Sequence, residues 1–162
     1  MKPMYKHDVS ARINTHDLST KLVPSDLYLE ILQFLQLQLK ILDRGDGEQY
    51  ARTFTPDGVF QAADMPEPLV GREILVKSIE RQTALHEGLV LRHWVGQLTV
   101  EQIDADTVRA QSYVMVYVIP NSTLLDGDVH FRHHTLCDDE LVRSDGTWLV
   151  RKRFVATDGA YK

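Results

Sequence analysis

Hydrophobic positions along the chain fall into two regimes. In the first half they recur at helical spacing. Leu27, Ile31, Leu35, Leu39 and Leu42 lie on one face of a helix. Pro24, Ser25 and Asp26 mark its start, with Ser25 placed to cap and Asp26 suited to the first turn. The stretch DRGDG stops this helix at about Leu42. A short helix over GEQYARTF follows. TPDGVF then predicts a turn feeding a strand, with Thr55, Pro56, Asp57 and Gly58 supplying the turn chemistry. ADMPEP reads as a loop, and GREILVKSIERQTALH, residues 71 to 86, as a third, amphipathic helix.

In the second half the period drops to two. VLRHWVGQLTVEQI, VRAQSYVMVYVI, DVHFRHHTLCDDELVR and WLVRKRFVAT alternate, separated by DADT, the longer loop PNSTLLDGD, and SDGT. That pattern predicts an antiparallel meander of long strands. Helices followed by a curved sheet make an α+β fold. A helix packed into such a sheet leaves a cone with one deep pocket, lined by alternate strand residues. Residues 1 to 22 are polar and predict an N-terminal arm, leaving residues 23 to 162 as a single domain.

Composition narrows the classes. A chain of 162 residues suits one core. A net charge of -5 without any lysine- or arginine-rich block argues against a nucleic-acid surface. The lone Cys137 excludes an internal disulfide and a multi-cysteine metal site. The polar start lacks the apolar core of a secretory signal. The longest apolar run, LYLEILQFLQLQLKIL, carries glutamines, a glutamate and a lysine, so no membrane span is expected. The expected location is the cytoplasm. No phosphate-cradling glycine motif and no ligand triad is present, so no cofactor and no metal are expected.

The candidate chemistry begins with LRHWVGQ, where His93 sits on an alternating strand and its neighbours Arg92 and Trp94 point the other way. In HFRHH, strand parity separates His133 from His130 and His134, which favours a strand face over a metal site. The same parity puts Phe131, His133, Thr135, Cys137 and Asp139 on one face. Tyr113 and Tyr117 share a face with Gln111 and Met115. Two phenols at that spacing suit either a polarised substrate carbonyl or core packing. Trp94 and Trp148 read as packing residues, and Cys137 has no activating context.

Four stretches resemble the SnoaL-like polyketide cyclase and scytalone-dehydratase-like branch of the nuclear-transport-factor-2-like superfamily. They are LDRGDGEQYARTFTPDGVF, LVGREI, LRHWVGQLTVEQIDADTVRAQSYVMV and LVRSDGTWLVRKR, which together span about residues 25 to 158. The resemblance implies a cystatin-like α+β barrel, with about three helices against a cone-shaped antiparallel sheet. In scytalone-dehydratase-like enzymes an aspartate at the end of the first helix pairs with a histidine on the first long strand, and the matching positions are Asp43 and His93. The chain departs from that template elsewhere. Leu42 and Phe60 stand where it has tyrosines, SYVMVYV offers no second histidine, and Cys137 replaces a pocket asparagine. The template's parity implies that Phe131, His133, Thr135, Cys137 and Asp139 face the cavity, which places His133 to substitute for the missing histidine.

The resemblance implies a cofactor-independent enzyme, a dehydratase or cyclase acting on an aromatic or polyketide-like substrate. Asp43 and His93 would carry proton transfer, while Phe60, Tyr113, Met115, Tyr117, His133 and Cys137 would surround the ligand. The same fold serves isomerases and epoxide hydrolases, so fold does not settle function. The alternative is a non-catalytic scaffold resembling the β subunit of an aromatic-ring-hydroxylating dioxygenase. The expected partners are a small hydrophobic or aromatic substrate and a second copy of the chain, since the long strands bear aromatic residues on a polar face.

Overall fold

The computed structural model describes residues 22–123 and 127–160. The expected N-terminal arm, apart from Leu22, lies outside the described residues. The elements are α1 (Ser25–Asp43), α2 (Gly47–Arg52), β1 (Phe54–Ala62), β2 (Leu69–Val70), α3 (Arg72–Leu85), β3 (Leu89–Gln102), β4 (Thr107–Pro120), β5 (His130–Ser144) and β6 (Thr147–Ala160). A 3-10 turn, Asn121–Thr123, follows β4. The six strands form one open sheet in the order β2-β1-β6-β5-β4-β3. The expected α+β class and the meander from β3 to β6 are present.

Three local expectations change. Ser25 is the first residue of α1 and not its cap: Pro24 takes the cap position and no side chain bonds there. TPDG is not a turn before the strand but an irregularity inside β1. Phe54 pairs with Val150 and Val59 with Lys152, so five steps on β1 match two on β6. Gly58 permits this crowding, because a Cβ there would lie 2.9 Å from that of Phe54. Finally, β1 runs parallel to β6, and the short β2, unannounced in the sequence, pairs antiparallel with β1.

The main core joins the inner face of α1 to the sheet. Ile31, Leu35, Phe54, Leu75, Val108, Leu141 and Val150 are essentially inaccessible. Burying each such side chain contributes about 1.5–3 kcal/mol. Within this interior Arg153 makes a forked ion pair with Asp139, at 2.7 and 2.8 Å, and donates to the Tyr50 hydroxyl at 3.0 Å. Desolvating two charges is costly, so the fork and the extra hydrogen bond are what make this arrangement tolerable.

Two of the sheet's register shifts bear on the site. In β3, Gly96 pairs with Tyr113 and Thr99 with Gln111, which leaves one unmatched residue on β3. Gln97 there has a positive φ of 48°. The inward face consequently switches from Leu91, His93 and Val95 to Leu98 and Val100. In β5, His133 pairs with Val116 but Phe131 with Tyr117, so Arg132 is the inserted residue.

Candidate active site

A cavity of about 410 Å³ opens between the inner sheet face, α3 and the end of α1. Its apolar lining includes Leu42, Phe60, Leu75, Ile79, Leu91 and Val116. Its polar groups include Tyr50, His86, His93, Arg132 and His133. A few polar side chains in a mostly apolar concavity is the usual make-up of a small-molecule site.

Asp43 reaches His93, on the cavity wall, because of how α1 ends. The backbone N–H groups of Arg44 and Gly45 donate to Ile41 and Leu42 at 3.1 and 2.9 Å. Gly45 sits at φ 69°, and a Cβ on it would lie 2.7 Å from the Thr83 side chain. The helix end is thus held tightly against α3, with Asp43 as its last residue. Asp43 Oδ1 lies 2.6 Å from His93 Nδ1, and the His93 backbone N–H donates to Oδ1 and Oδ2 at 3.2 and 3.3 Å. The histidine and aspartate side chains are only 16% and 11% exposed. An anion at a helix C-terminus is electrostatically disfavoured, and these two N–H donors offset that cost. The carboxylate accepts, so Nδ1 carries the hydrogen and Nε2 holds the lone pair.

His133 lies across the sheet from His93, both paired in register with the intervening Val116. Burial holds the His133 imidazole below the ordinary histidine range, reinforced by Arg132, His93 and His86. His86, the residue capping the C-terminus of α3, is held low by burial and by Arg132. Its Nδ1 is buried and has no hydrogen-bond partner among the described residues. Tyr50 is pushed up by burial, against the opposing influence of Arg153.

The other expected ligand contacts divide. Phe60 and His133 line the cavity. Tyr113, Met115 and Tyr117 do not: they lie on the outer face of β4, where Tyr113 and Met115 are 41% and 40% exposed. Their parity is opposite to that of Val114 and Val116, which are buried. Cys137 points inward but packs with Leu39, Val114 and Val116 and does not line the cavity. Burial pushes its thiol up to about 12. Thr135 and Asp139 are likewise buried away from the cavity, and the β5 bulge leaves Phe131 exposed, next to Tyr117. Trp148 packs as expected, its indole donating to Glu30 at 3.1 Å, whereas Trp94 is 63% exposed.

Tyr50, His86 and Arg132 were not expected at the site. Tyr50 shares a short amphipathic helix with Ala51, a readable signal for a buried face. Arg132 enters only through the bulge, which nothing in HFRHH announces. Among the described residues no group of three or more histidine, cysteine or acidic side chains is placed to hold a metal. No helix among them is long and apolar enough to cross a membrane.

A model of the SnoaL-like domain matches residues 24–154. No curated protein matches the chain. Among solved structures, Aln2 from a Streptomyces species is 30% identical with a TM-score of 0.77, covering 85% of this chain and 95% of that one. A Catenulispora acidiphila protein in complex with S-DNPA is 32% identical with a TM-score of 0.71, covering 83% and 96%. A Novosphingobium aromaticivorans protein described as NTF2-like with a cystatin-like fold superposes with a TM-score of 0.65 over 90% and 94%, at 20% identity, and so shares the fold alone.

Proposed function

The chain belongs to the SnoaL-like domain family, and on that footing we propose that it is a cofactor-independent enzyme that moves a proton on an aromatic or polyketide-like substrate, as a dehydratase or cyclase. The observation that carries this reading is the 2.6 Å contact between Asp43 and His93 at the wall of the cavity. Asp43 fixes the tautomer and stabilises the imidazolium. His93 Nε2 takes a proton from a carbon beside a carbonyl, and the imidazolium returns it to a departing hydroxyl, releasing water. In a cyclisation the same proton goes to the carbonyl oxygen attacked by the new carbanion. Tyr50, whose oxygen accepts from Arg153, keeps its own O–H free for an oxygen in the cavity.

That a Catenulispora acidiphila protein 32% identical to this chain was solved in complex with S-DNPA favours a ligand for this chain too, and the reading places it in the cavity. The reading also takes the chain as a homodimer, with the exposed outer-face residues Trp94, Tyr113, Met115 and Phe131 as the contact. The test is loss of water from a β-hydroxy aryl ketone, followed by the absorbance of the conjugated enone. Wild-type protein should accelerate it, and His93→Ala should not.

A further inference from the structure

We propose that Arg132, with His86 and His133 beside it, forms a receiving site for a substrate carboxylate, so that the ligand is an aromatic acid held with its anionic end at Arg132 and its reacting carbon near His93. The inference rests on the acid–base reading of His93 for the reacting end and adds the substrate class. It begins with the β5 bulge. The inserted residue turns Arg132 as well as His133 into the cavity, where plain alternation would have sent one of them out.

Among the described residues the Arg132 guanidinium has no carboxylate partner. Arg109, Arg143, Arg151 and Arg153 are each paired with a carboxylate: Asp138, Glu30, Glu140 and Asp139 respectively. Asp43, behind the cavity wall, is committed to His93, and Asp64, at the cavity's edge, is solvent-exposed. A guanidinium presents a planar fork that matches a carboxylate bidentately. The neighbouring imidazoles extend the site. His86 lines the cavity close enough to Arg132 to feel its charge, and His133 lies next to Arg132 on β5. Burial and Arg132 together favour neutral His86 and His133, each with an N–H to donate. Among the described residues Arg132 is the only arginine lining the cavity, and no lysine does. One positive charge suits a monoanion such as a carboxylate better than a phosphate dianion.

The test compares 2-naphthylacetate with its methyl ester by calorimetric titration against the full-length protein. Wild type should bind the acid at least about tenfold more tightly, the size of one charge-assisted contact. Arg132→Gln should abolish that preference with ester affinity and melting temperature little changed, and Arg132→Lys should keep only part of it. Arg92→Gln, which removes an exposed arginine on β3, should leave it intact. Equal affinity for acid and ester in wild type, binding of neither, or a preference that survives Arg132→Gln would each overturn the site. His93→Ala should keep the preference, so a failure of the proton-transfer reading is seen in rates and a failure of this one in affinities.

Discussion

One carboxylate, Asp43, holds both the ring and the backbone of His93. Its Oδ1 is 2.6 Å from Nδ1, and its two oxygens take the backbone N–H at 3.2 and 3.3 Å. The last residue of α1 therefore fixes the position of β3 as well as the tautomer of its histidine. Asp43→Asn keeps an acceptor for the backbone N–H but loses the charge that stabilises the imidazolium. It should lower kcat at least about tenfold, with a smaller change in KM. Asp43→Ala should in addition cost about 1–3 kcal/mol of stability, because that N–H loses its acceptor. Urea denaturation of both variants separates the two effects, and equal stabilities would count against the anchoring role.

The buried Arg153–Asp139 pair should behave as a unit. Arg153→Ala leaves an uncompensated carboxylate in the core and should cost about 3–5 kcal/mol, and Asp139→Ala should cost a similar amount. The double substitution Arg153→Met, Asp139→Leu should recover much of the loss. Chemical denaturation midpoints of the three variants check this.

The two cavity histidines give folding a pH dependence of known sign. His86 and His133 are held below the ordinary histidine range when folded, mainly by burial. As the pH falls through about 6.5, the unfolded chain takes up protons at these positions while the folded chain resists. Their contribution to stability is thus present above that pH and is lost as it falls toward the folded-state pKa values. The melting temperature should fall between pH 7.5 and 5.5, and the double variant His86→Gln, His133→Gln should show a shallower fall. Parallel slopes for wild type and variant would exclude these histidines as the source.

The outer face of the sheet should be the homodimer contact. Trp94 projects from β3 at 63% exposure, and its register partner is Met115 on β4. Trp94→Glu should give a monomer by sedimentation velocity at micromolar concentration while keeping the wild-type circular dichroism. A wild-type protein that is already a clean monomer would remove this assembly.

Much of this was legible in the sequence, and the exceptions have two causes. The switch from helical spacing to period two separated helices from strands, and Gly45 in DRGDG marked where α1 must stop. The family resemblance identified Asp43 and His93, which are separated by 50 positions that no local pattern connects. Strand parity, however, is reliable only between bulges. It correctly turned Arg92 and Trp94 away from His93, but Gln97 reverses it for Leu98 and Val100. The Arg132 insertion similarly turned Phe131 outward. Tyr113, Met115 and Tyr117 were misassigned for a different reason. Aromatic residues at strand spacing suit either face of a sheet, and here the small and branched residues between them took the inner one.

The most direct measurement of the central claim is deuterium uptake at the benzylic α carbon, C1, of 2-tetralone, a ketone fused to an aromatic ring, followed by proton NMR in heavy water. It reports proton abstraction alone and needs no natural substrate. With His93 as the base held by Asp43, wild-type protein should accelerate uptake over buffer. His93→Ala should then lose at least about a hundredfold of the protein-dependent rate, the low end for general acid–base catalysis. A His93→Ala variant that exchanges the α proton as fast as wild type would contradict the claim and leave His93 a core histidine.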